Sequence, residues 1–98
     1  MARLIHNLNK DWYKIVVCTR KEYMAYSETF GNCHLCGDEV CLDDNMYYIP
    51  VLDVVYCERC YKLWAISATF YKVDKDIEDK NLSKIKNKFE EMGCWYED

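Results

Sequence analysis

Cys33-His34-Leu35-Cys36-Gly37 and Cys57-Glu58-Arg59-Cys60 are the two stretches on which the fold turns. Two residues lie inside each cysteine pair, and twenty lie between the pairs. That is the spacing of a tetrahedral structural zinc site with four thiolate ligands, one ion per chain. A Cys-x-x-Cys turn lets two sulfurs converge on an ion about 2.3 Å away, while nearby N–H groups point at the negative sulfurs. Gly37 suits the positive φ at the end of such a knuckle. No glycine follows the second pair. Tyr61 stands there instead, and Leu63, Ile66 and Phe70 then recur at helical spacing beside Ser67. The second pair is therefore expected at a helix N-terminus, whose partial positive charge favours thiolates. Redox Cys-x-x-Cys motifs or coincidental core cysteines are the competing reading, and two matched pairs argue against it.

Between the pairs, Glu39 to Leu42 and Met46 to Tyr56 read as short strands turned at Asp43-Asp44-Asn45. Pro50 limits the second strand to an edge or breaks it. Knuckle, hairpin and helix in this order resemble a treble-clef zinc finger. The resemblance covers about residues 31 to 72 and rests on Cys33, Cys36, Gly37, Cys57 and Cys60. A zinc ribbon would want a second knuckle with glycine after Cys60.

On the N-terminal side, Asp11 to Cys18 reads as a strand rich in β-branched and aromatic residues. Thr19-Arg20-Lys21-Glu22 fits a capping box opening a helix through about Phe30, with Gly31 as its C-cap. Tyr23, Tyr26 and Phe30 would share one face; a second strand is the alternative for residues 20–30. On the C-terminal side, the charged run from Val73 to Lys80 is a linker or the first turns of a helix. From Leu82 a helix is expected, with Leu82, Ile85, Phe89 and Met92 as its apolar stripe and Gly93 past its end. Lys84, Lys86 and Lys88 read as a solvated face. Trp95 and Tyr96 either fold back on the core or form an exposed anchor. The expected fold class is α+β: a small treble-clef-like zinc domain with an N-terminal strand and helix and a C-terminal amphipathic helix. Residues 1–98 form one domain, with a zinc core at about 31–72 and the last helix at about 82–92.

A chain of 98 residues gains much from a metal staple. No stretch approaches the roughly 20 apolar residues of a membrane span, and Met1 to Asn7 lacks a signal-peptide run. Seven cysteines, an odd number, fit a reducing cytoplasm. Cys18 reads as a buried small hydrophobe. Cys41 is the substitute ligand if one of the four is misassigned, and Cys94 is a free thiol or a packing residue.

Charge is unevenly placed. Residues 31–60 carry six acidic side chains (Asp38, Glu39, Asp43, Asp44, Asp53 and Glu58) against Arg59, whereas the whole chain has a net charge of −4. Four thiolates on one zinc add about −2. Nucleic-acid binding, which relies on a basic stripe, is disfavoured for an acidic finger. Catalysis is disfavoured too. The treble-clef nucleases use a general-base His at the hairpin end and further His or Asn on the helix. Here the only histidines are His6 and His34, and His34 reads as an exposed knuckle residue. With sulfur in all four positions no site is open for water activation. A cross-braced RING would need eight ligands.

What remains is a protein-binding module, with carboxylates and tyrosines facing a basic, nucleic-acid-handling partner. Asp43, Asp44, Tyr47 and Tyr48 are the expected docking residues. In type, though with no alignable residues beyond the zinc cysteines, the chain is similar to the small zinc-containing anti-CRISPR proteins. That resemblance implies a phage or mobile-element inhibitor of an RNA-guided nuclease, acting in the host cytoplasm. The alternatives are an intracellular zinc-finger adaptor or regulator, or a nucleic-acid-binding finger.

Overall fold

β-Branched residues at Ile15, Val16 and Val17 build the middle of the sheet, because strand β2 (Lys14–Thr19) is buried on both faces. The structure, a computed structural model, describes residues 2–6, 13–68 and 71–96. Asp11 and Trp12, the expected start of this strand, and Phe70 lie outside them. Among the described residues, five strands form one mixed sheet in the order β4-β3-β2-β1-β5. Strand β1 (Ala2–His6) pairs antiparallel with β2, placing Leu4 opposite Val16. On the other side, β3 (Asn45–Ile49) pairs antiparallel with β2, and β4 (Val54–Tyr56) pairs antiparallel with β3. Two residues, β5 (Trp95–Tyr96), add parallel to β1, with Ala2 N donating to Cys94 O at 2.7 Å. Trp95 thus folds back on the core, while Tyr96 stays exposed. With three α-helices among the described residues, the fold is α+β.

Helix α1 (Arg20–Ser27) starts at the capping box read from the sequence. Glu22 N donates to Thr19 Oγ1 at 3.1 Å, and Thr19 N donates to Glu22 Oε1 at 2.8 Å. It stops earlier than expected. Glu28, with φ 58°, closes it by donating to Met24 O. Ser27 and Thr29 bond each other at 2.7 Å and so compete with further helical bonds. Gly31 is therefore not the cap. Its φ of +67° carries the chain past Met24, where an added Cβ would meet Met24 Cγ at 2.9 Å. Phe30 is 80% exposed and leaves the face shared by Tyr23 and Tyr26.

The hairpin is also shifted. Residues 39–42 form no strand, because the carbonyls of this loop serve α1: Lys21 N donates to Leu42 O, Arg20 N to Asp44 O, and Arg20 Nη1 to Val40 O. These are donors that a helix N-terminus leaves unsatisfied, together with the side chain next to them. Pro50 does break the long apolar run. Strand β3 ends at Ile49 and a turn closes with Asp53 N on Ile49 O at 2.8 Å, Asp53 taking φ 54°.

Helix α2 (Glu58–Ser67) covers one face of the sheet, and α1 with helix α3 (Lys75–Glu91) covers the other. Tyr47 and Tyr48, adjacent in β3, point to opposite layers as strand alternation requires. Tyr47 meets Tyr61 of α2, and Tyr48 meets Tyr23 and Tyr26 of α1. The charged run after Val73 is helical: a 3-10 turn at Lys72–Asp74 leads directly into α3. Ile85 and Phe89 are fully buried, Leu82 is half-buried, and Met92 lies past the helix end. Asn81 Nδ2 ties α3 to the hairpin turn through Pro50 O at 2.8 Å. No helix among the described residues is long and apolar enough to cross a membrane.

Candidate metal centre

The knuckle is held by its own backbone. Gly37 N donates to Cys33 O at 2.8 Å and Cys33 N to Asp38 O at 3.1 Å, with Gly37 at φ +76° as its residue type allows. His34 N donates to Val55 O at 2.9 Å, which fastens the knuckle to the edge of β4. The His34 side chain is exposed. From the opposite side, Cys57 is the N-cap of α2, with an extended backbone (φ −71°, ψ 167°) and a sulfur that caps no N–H. Cys60 follows in the first turn. The helix thus begins inside the second pair, at Glu58, and both thiols sit at its positive end.

Together, these elements bring the Sγ atoms of Cys33, Cys36, Cys57 and Cys60 within 4.8 Å of one another. The Cys36–Cys57 pair is 3.8 Å apart. Four sulfurs about 2.3 Å from a central zinc in a tetrahedron would be about 3.8 Å from each other. The donor set fits: four soft thiolates at tetrahedral spacing suit Zn²⁺, with no position left for water. Cys41, the substitute ligand, is exposed and outside the cluster. Cys18 is buried in the core, and Cys94 is half-buried.

Electrostatics support the same assignment. Burial opposes ionisation of Cys33, yet N–H groups of Cys36, Cys57 and Leu35 aimed at its sulfur outweigh burial and bring it down to about 6. Cys60 goes the other way. Burial, then the neighbouring sulfurs of Cys36, Cys57 and Cys33, push it up to about 12. Four thiolates this close repel one another unless a cation sits among them, and a divalent ion removes that penalty.

Arg59 is the residue that spacing alone did not reveal as part of this site. The Cys36 sulfur beside it, then Asp38 at 3.8 Å, raises the pKa of its guanidinium. It stands on the exposed side of α2 in line with Leu63 and Ile66, which are 60% and 74% exposed. The apolar stripe anticipated for this helix therefore faces outward. Cys60 must aim at the cluster, so the buried face of α2 is Cys60, Tyr61 and Ala65, and Leu63 and Ile66 fall on the far side.

Beside the centre runs a groove of about 580 Å³ lined by Asp38, Asp44, Glu58, Arg59 and Tyr47, among others. Asp43 and Asp44 are exposed, and Asp44 Oδ2 also accepts from Cys41 N at 3.2 Å. Tyr47 is half-buried at the groove. Tyr48 is fully buried and donates to Asp53 Oδ1 at 2.6 Å, so it is a core residue unavailable for docking. Burial, then this bond to Asp53, pushes its phenol far up. Comparison with protein-family models, curated proteins and solved structures finds no match to this chain.

Proposed function

We propose that this protein is a non-catalytic, zinc-stapled interaction module of treble-clef-like plan that docks a basic, nucleic-acid-handling protein. The observation that carries this reading is the groove beside the four cysteines, where three carboxylates (Asp38, Asp44 and Glu58) outnumber the one cation, Arg59, and share the lining with Tyr47. Carboxylates beside an aromatic ring suit a partner rich in Lys and Arg, and zinc thiolates deepen the negative field. Leu63 and Ile66 add exposed apolar area on the adjoining helix. Zinc acts as scaffolding: it fixes knuckle, hairpin and helix in one arrangement, so little ordering entropy is lost on docking. Within this class, a phage or mobile-element inhibitor of an RNA-guided nuclease accounts for small size, acidity and binding as the whole activity.

The test mixes the purified protein with several CRISPR nucleases and follows target cleavage against protein concentration. Inhibition complete at an equimolar ratio, weakened by Asp43→Lys with Asp44→Asn at unchanged melting temperature, supports the proposal. No complex on gel filtration and no effect at large excess would return the protein to an adaptor with another basic partner. Tight, steeply salt-dependent binding to DNA or RNA alone would favour a nucleic-acid-binding finger instead.

A further inference from the structure

The four sulfurs of the metal centre are unequally protected. Cys33, Cys57 and Cys60 are only 2%, 7% and 3% exposed, screened by the knuckle, β4 and α2. Cys36 alone is exposed. We propose that Cys36 is a modification site, the ligand at which hydrogen peroxide oxidises the centre and releases its metal. The inference rests on the four-cysteine zinc reading and is independent of which partner the protein docks.

Oxidation of a thiolate needs a peroxide oxygen to approach the sulfur directly, and of the four cluster cysteines Cys36 is the one open to solvent. Arg59, a cation beside Cys36 on the exposed side of α2, can stabilise the departing hydroxide. In the first step the Cys36 sulfur attacks one peroxide oxygen. An S–O bond forms, the O–O bond breaks, the sulfur gives up two electrons and hydroxide leaves. In the second step a neighbouring thiolate attacks the Cys36 sulfur, an S–S bond forms and a second hydroxide leaves; solvent protons convert both hydroxides to water. Cys57, 3.8 Å away, is positioned for this resolving role. Two ligands are then lost from the ion, and two thiolates cannot hold it.

The experiment uses the full chain with Cys41→Ser, because Cys41 is also exposed but lies outside the cluster. Zinc content is measured first; a protein that carries none overturns the metal reading and this proposal with it. On the zinc-loaded protein, substoichiometric N-ethylmaleimide followed by peptide mass mapping should label Cys36 before the other three ligands. Hydrogen peroxide should release zinc to a chromogenic chelator, with Cys36 in the disulfide found by non-reducing mapping. Cys36→His, which keeps a ligand at that corner, should slow release about tenfold or more. First labelling at Cys33, Cys57 or Cys60, or a disulfide that omits Cys36, overturns the proposal. If Cys36→His does not hold zinc, the labelling order in the parent protein decides.

Discussion

The rings of Tyr47 and Tyr61 lie 4.5 Å apart and 3° from parallel, joining the strand that leads into the hairpin to the helix that carries Cys60. Tyr61 directly follows Cys60 of the four-cysteine cluster, so this stack sets how α2 sits on the sheet and therefore where Cys60 points. An aromatic pair of this kind is worth about 0.5–1.5 kcal/mol beyond its buried area. A double-mutant cycle with Tyr47→Leu and Tyr61→Leu should return a coupling of about 1 kcal/mol in denaturant unfolding of the zinc-loaded protein. A coupling indistinguishable from zero would mean that the sheet and helix are held together by the metal alone.

Metal dependence is the second expectation. Structural zinc supplies on the order of 10–16 kcal/mol of folding free energy in small domains. Cys57→Ser removes a ligand and puts a hydroxyl at the N-cap, so it isolates the loss of metal from any loss of the helix start. Elemental analysis should find about one zinc per chain in the parent protein and much less in the variant, with the thermal transition lost or broadened. Full metal retention in Cys57→Ser would remove Cys57 from the ligand set.

Arg20 braces the knuckle from outside. Its Nε and Nη2 donate to Phe30 O at 3.0 and 2.9 Å, Nη2 also reaches Asn32 Oδ1 at 3.0 Å, and Nη1 reaches Val40 O at 2.7 Å. These acceptors flank the knuckle on both sides. A lysine cannot span them, because it lacks the planar fork. Arg20→Lys should cost on the order of 2 kcal/mol, discounted for partial exposure, and should speed zinc loss to a competing chelator. Equal chelation rates in the two proteins would show that the brace does not act on the metal centre.

Glu78 gives a pH signature. It is 4% exposed, and burial raises its pKa against the opposing pull of the Lys14 backbone N–H and the charges of Lys14 and Lys75. A carboxyl whose folded pKa lies above its unfolded value stabilises the fold while protonated in both states. That contribution is lost as pH rises through the folded pKa. Glu78→Gln keeps an acceptor for the Lys14 N–H and cannot ionise. Its melting temperature relative to the parent should therefore rise between pH 4 and pH 7, while zinc ligation affects both proteins alike. A difference that stays flat, or falls, across that range would contradict the raised pKa.

The cysteine spacing, the Thr19–Glu22 capping box, the β-branched run at 15–17, the break at Pro50 and the stripe of Ile85 and Phe89 were all legible in the sequence. Each is a local rule: which ligands can share one ion, which side chain can cap the next turn, which period lines one face. Tertiary structure decided the rest. Leu63 and Ile66 have helical spacing yet face outward, because the phase of α2 is set by Cys60 reaching sulfurs from a distant knuckle. Residues 39–42 look like a strand but give their carbonyls to α1. Tyr47 and Tyr48 are neighbours of the same type, and only the layers above and below the sheet make one a groove residue and the other core. Periodicity reports that a face exists. Long-range partners determine which way it points.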